Sequence, residues 1–130
     1  MAIKLTADQA EQLAHGLLDC ADALDRRLVS DWRKLDDPTK QQLMDLAQQM
    51  RAKSALLVNT AVGMILDEAK EAFGQIISAT KAGEAAIVNI QTVGQIVTIA
   101  ASLVALGAAV ASKDPVASVK AATDLFDEIA

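Results

Sequence analysis

From Ala7 onward, apolar side chains fall at Ala10, Leu13, Ala14, Leu17, Ala21, Leu24, Leu28, Trp32 and Leu35. Steps of three and four place them on one stripe of an α-helix, with Asp8, Glu11, Asp19 and Arg26 across from it. Thr6 and Gln9 have capping-box spacing: the hydroxyl takes a first-turn backbone donor while the amide side chain reaches back. The pattern predicts a helix over about 7–35, with His15 on the exposed side, Cys20 on the flank and Trp32 closing the core near the helix end. In Asp36-Asp37-Pro38-Thr39, proline suits the first helical position and Asp37 the N-cap, so the chain turns there. A second stripe then runs Leu43, Leu46, Ala47, Met50, Ser54, Leu57, Val58, Ala61, Ile65 and Ala69 before drifting to Phe73, Ile76 and Ile77. It reads as one long helix over 38–82, antiparallel to the first, with 59–63 as the place for a kink. Between Ala55 and Leu66 only Asn59 and Thr60 are polar, so this part is expected deep in the assembly.

The next stretch, Ala85 to Ser112, carries no formal charge between Glu84 and Lys113, and within Ile96–Ala111 only Thr98 and Ser102 are polar. It predicts a helix over 84–112 that must be covered on every side by protein or by lipid. As a helix the uncharged run would reach about 40 Å, more than the roughly 30 Å of a bilayer's hydrocarbon core. Asn89, Gln91, Thr92 and Gln95 lower its hydropathy, and it has no Trp or Tyr to sit at an interface. Ala, Gly and Ser dominate it, which favours close approach of helix backbones. Ser112-Lys113-Asp114-Pro115 repeats the Asp-Pro start signal. Val116, Val119, Ala122, Leu125, Phe126 and Ile129 then mark one face of a helix over 115–129. Leu125 and Phe126 are the candidate lid over the apolar helix.

Glycines recur in VGMIL, FGQII, VGQIV and LGAAV, which begin at Val62, Phe73, Val93 and Leu106. The spacing is too irregular for a solenoid repeat and suits glycines at close helix crossings; Gly83 reads as a helix C-cap. The fold class is therefore all-α: an antiparallel bundle of long helices with a central apolar helix and a short C-terminal amphipathic helix, in one domain over 1–130.

Composition narrows the function. A chain of 130 residues can build a core without disulfide staples. That core must be aliphatic, since 52% of residues are hydrophobic and only 2% aromatic. The formal net charge of −5, with no basic cluster in the pattern, argues against nucleic acid as a partner and gives no help toward anionic lipid. The single Cys20 forms no intramolecular disulfide, and MAIKLTADQA lacks the apolar region of a secretory signal. A protein soluble and cytoplasmic when synthesised is expected, with export lacking a cleavable signal, followed by membrane association, left open.

Catalytic motifs are absent: no phosphate loop, CxxC, HExxH, Glu-x-x-His pair or nucleophile elbow occurs. Asp67, Glu68 and Glu71, with Lys70 among them, read as a solvated helix face. No enzyme, cofactor or metal is expected. The leading expectation is a membrane-active protein, toxin-like or translocator-like, that shelters its apolar helix in a soluble form. Ile96, Val97, Leu103, Val104, Leu106 and Val110 would then contact lipid or partner helices. The alternative is a soluble, non-enzymatic scaffold or interaction module that buries the same surplus between subunits of a homo-oligomer.

Overall fold

The capping box forms as its spacing implies: Gln9 N–H donates to Thr6 Oγ1 at 3.1 Å and Thr6 N–H donates to Gln9 Oε1 at 2.9 Å. Helix α1 (Ala7–Ser30) starts from it. In the computed structural model, which describes residues 2–67 and 71–130, four more helices follow: α2 (Asp37–Thr60), α3 (Ala72–Asn89), α4 (Val93–Ala111) and α5 (Pro115–Ile129). The protein is an all-α bundle with an apolar helix and a short amphipathic helix at its end, and helices that follow one another along the chain run antiparallel.

The helices form a ring in the order α1, α2, α4, α5, α3, and α4 also reaches across to α3 and α1, so it touches all four others. Ser54 Oγ donates to Ala14 O at 2.7 Å. Further along, Arg51 Nη2 donates to Asp22 Oδ1 at 2.8 Å and Asp25 Oδ2 at 2.5 Å. These contacts fix α1 and α2 antiparallel. Gly16 meets Thr80, and Arg27 Nη1 reaches Ile87 O and Val88 O, so α3 runs parallel to α1. Gly83 faces Leu103 and Gly107 faces Leu17, which sets α4 running against both.

Four boundaries differ from the sequence expectation. The first helix ends at Ser30, not near 35, and a 3-10 turn over Trp32–Lys34 follows. Arg27 explains the stop: its Nε holds Asp31 Oδ2 at 2.6 Å while Nη1 donates to Val88 O at 2.9 Å, joining the last turn of α1 to the end of α3. Trp32 consequently lies 44% exposed under Lys40 and does not close the core. The N-cap of α2 is Asp36, not Asp37, because Asp36 Oδ1 accepts from Thr39 N–H at 2.8 Å while Asp37 turns to Lys40.

The expected long helix over 38–82 is two helices. Thr60 ends α2, Gly63 adopts φ +87°, and Ile65–Asp67 form strand β2, which pairs antiparallel with β1 (Ala2–Lys4) in the register Ile3 opposite Leu66. Gly63 N–H donates to Leu5 O at 2.7 Å and Leu5 N–H to Met64 O at 2.8 Å. These bonds continue the pairing beyond the two strands and hold Leu5, Met64 and Leu66 in the core. Glu68 and Lys70 of the carboxylate cluster, and residues 68–70 of the expected helix, lie outside the described residues.

The expected helix over 84–112 is also broken. Ile90 and Thr92 are extended, Asn89 Nδ2 bonds back to Ala85 O at 2.9 Å, and α4 begins only at Val93. Gly83 is no C-cap but sits inside α3, where an added Cβ would lie 2.9 Å from Leu103 Cδ2. Gly107 is the matching close approach, with Leu17 Cδ2 at 2.7 Å and Lys53 Cβ at 3.0 Å, whereas Gly74 and Gly94 face open space. Only part of the glycine series therefore serves helix crossings.

The α4 surface and its cover

Helix α4 is two-sided. Ile96, Ile99, Ala100, Leu103, Leu106, Gly107 and Val110 face inward and are buried, at the i, i+3, i+4, i+7 spacing of one helix face. Opposite them Gly94, Thr98, Ala101 and Ala105 are exposed. Burial on every side, expected from the uncharged run, is therefore not what the bundle does. Small side chains allow a helix without charges to present one face to water, because each contributes little apolar area. Of the expected contact residues, Ile96, Leu103, Leu106 and Val110 lie in the core, and Val97 and Val104 are half-buried on its flank.

The cover is α5. Asp114 caps it, its Oδ1 accepting from Ala117 N–H at 3.0 Å, and Pro115 occupies the first helical position. Ser118, Ala122 and Leu125 are buried, Phe126 is half-buried, and Val116 points out to solvent. Ser102 Oγ of α4 donates to Glu128 Oε2. On the α3 side, Gln75 Nε2 donates to Thr123 Oγ1 at 2.9 Å. Helix α5 thus packs on both α3 and α4, and the outer stripe of α4 stays open.

Cys20 is buried, its thiol donating to Thr80 O at 3.2 Å. Burial first, then the nearby charges of Glu84 and Asp19, push its pKa up to about 12, so it stays a protonated thiol. His15 is exposed beside Glu11, 3.6 Å away. Among the described residues no group of three His, Cys, Asp or Glu side chains could hold a metal ion.

One surface escaped the sequence reading. At the α1–α2 corner Val29 is 76% exposed and Trp32 44%, with Arg33 and Lys34 exposed beside them. The signal was the Trp-Arg-Lys run before Asp36-Asp37-Pro38, which the helical stripe absorbed into the core. Comparison of the chain with family models, curated proteins and solved structures finds no match.

Proposed function

We propose that this chain is a membrane-active helical protein, toxin-like or translocator-like, that carries α4 in a water-soluble bundle and presents it to a bilayer. One observation carries the reading. Among the described residues α4 is the single helix long and apolar enough to cross a membrane, with 19 residues and a mean hydropathy of 2.0 over its most apolar window. Its length of about 28 Å is close to the roughly 30 Å of a hydrocarbon core. Its outer stripe meets solvent without a charge before any rearrangement.

The energetics favour a stored form in water. Leu13, Leu17, Leu57 and Ile76 line the seam with Leu106, Gly107 and Val110, so withdrawing α4 uncovers them. At about 1.5–3 kcal/mol per side chain the cost is roughly 6–12 kcal/mol, comparable to the stability of a whole domain. A bilayer offers apolar cover to both sides of that seam, so release is expected at a membrane and not in solution. Flotation and leakage assays with neutral and anionic vesicles from about pH 4 to 8 test the reading; absence of binding throughout refutes it.

A second reading, a soluble scaffold forming a homo-oligomer, is favoured by the exposed Gly94, Thr98, Ala101 and Ala105 stripe, which suits close docking of a partner helix. A single chain buries Leu57, Ala61, Met64 and Leu66 from the first apolar stretch and Ile96, Leu103, Leu106 and Val110 from the second, but it leaves Leu56, Val58 and Ile65 exposed, so the stretch over 55–66 is not deep along its whole length. Light scattering that reports a strict monomer at micromolar concentration removes this reading.

A further inference from the structure

The α1–α2 corner combines exposed apolar side chains with a local excess of positive charge. From Arg26 to Lys40 the chain has the basic residues Arg26, Arg27, Arg33, Lys34 and Lys40 against the acidic Asp31, Asp36 and Asp37, in a protein whose net charge is −5. The acids are engaged: Asp31 holds Arg27 at 2.6 Å, Asp36 caps α2, and Asp37 lies 3.7 Å from Lys40. Arg33 and Lys34 are exposed and form no ion pair among the described residues. Next to them Trp32 has one ring face under Lys40 Nζ, 4.3 Å from the centroid, and Val29 stands out to solvent.

An indole at the surface beside a guanidinium and an ammonium matches the headgroup layer of a bilayer, where the ring sits at the polar–apolar boundary and the cations meet phosphate. The placement is consistent with the rest of the fold. Arg27 ties this corner to the last turn of α3 through Ile87 O and Val88 O, and Val88 is itself exposed. Val93, the start of α4, follows five residues later in the chain. The acidic Asp127 and Glu128 stand at the same end of the bundle, where Gln95 Nε2 reaches Glu128 O at 3.5 Å, but on α5, which packs on α3 and α4 across the ring from the corner.

We infer that Val29, Trp32, Arg33 and Lys34 dock the protein on an anionic lipid bilayer, with headgroup phosphates on Arg33 and Lys34 and the Trp32 ring at the interface. The inference rests on the membrane reading but is carried by residues outside α4, so the two fail separately.

Trp32 is the only tryptophan, and its emission therefore reports the corner directly. The full chain is titrated with vesicles of mixed phosphatidylglycerol and phosphatidylcholine, and with phosphatidylcholine alone. A blue shift and protection from an aqueous quencher are expected on the anionic vesicles only, and salt at about 0.5 M should weaken both. Arg33→Gln with Lys34→Gln should lower partitioning about thirtyfold, from roughly fivefold per basic residue near an anionic surface, with the helical signal unchanged. Should the double variant lose helicity, Lys34→Gln alone, expected to cost about fivefold, decides the matter. Vesicle flotation with Trp32 emission unchanged, an equal shift on neutral vesicles, or a variant that binds as tightly as the parent each overturns the corner and leaves the membrane reading standing. No flotation with any vesicle overturns both.

Discussion

Replacing Leu125 and Phe126 together by aspartate tests whether α5 guards α4. Leu125 is fully buried and Phe126 half-buried. Full burial of such side chains is worth about 1.5–3 kcal/mol each, so the pair contributes roughly 2–4 kcal/mol before any charge is considered. Burying two carboxylates on an apolar seam would cost several kcal/mol more. The helix escapes that penalty by lifting away, and the total loss is then capped by what docking contributes, with Ala122 and the Thr123 and Glu128 hydrogen bonds included. A loss of about 3–5 kcal/mol should lower Tm by roughly 10–20 °C in a chain of this size. Circular dichroism melting, binding of an apolar dye and vesicle leakage are the measurements. Under the membrane reading, dye binding and leakage rise while the remaining helices stay folded. Under the scaffold reading, subunits dissociate or stability falls and vesicles stay intact. Unchanged Tm, dye binding and assembly would mean that α5 covers nothing, and the lid would be refuted.

Three further outcomes are expected. Gly107→Ala should destabilise by about 1–3 kcal/mol through overpacking against Leu17 and Lys53; Gly94→Ala, where nothing lies within 4 Å, should stabilise by up to about 1 kcal/mol, both read from denaturant midpoints. The Cys20 thiol, buried and pushed up to about 12, should resist an alkylating reagent at neutral pH in the native protein and react once urea unfolds it; fast labelling under native conditions would contradict the packing. Asp31 is held below the usual carboxylate range chiefly by its hydrogen bond from Arg27, and Asp36 by its hydrogen bonds from Thr39. Their stabilising contribution is therefore fully present above about pH 4 and disappears as pH falls through the lowered values, so Asp31→Asn with Asp36→Asn should flatten the acid limb of the stability profile.

Much of the architecture could be read from spacing alone, and the reason is physical. The Thr6–Gln9 capping box, the stripe Ala10 to Leu28 and the Asp114-Pro115 start are local features, decided within one or two helical turns, and they stand where the pattern puts them. The absence of charge from Ala85 to Ser112 likewise required an apolar helix somewhere in that run. What the spacing could not decide depends on partners far away in the chain. Leu5 accepts a backbone hydrogen bond from Gly63 and donates one to Met64, nearly sixty residues away, and beside that contact α2 has ended and Ile65–Asp67 pair as a strand. Arg27 closes α1 and caps α3 through a side chain whose acceptors, Ile87 O and Val88 O, exist only once the two helices lie parallel. Trp32 shows the consequence most plainly: its place in the heptad-like stripe implies burial, but the 3-10 turn rotates it out under Lys40. The two sides of α4 were present in the spacing, with Ile96, Ile99, Leu103, Leu106 and Val110 on one face and Gly94, Thr98, Ala101 and Ala105 on the other, but with no charge on either face only the packing showed that the small-residue side is left to water. Periodicity reports where apolar area is concentrated; only the ring of five helices determines which of that area is covered.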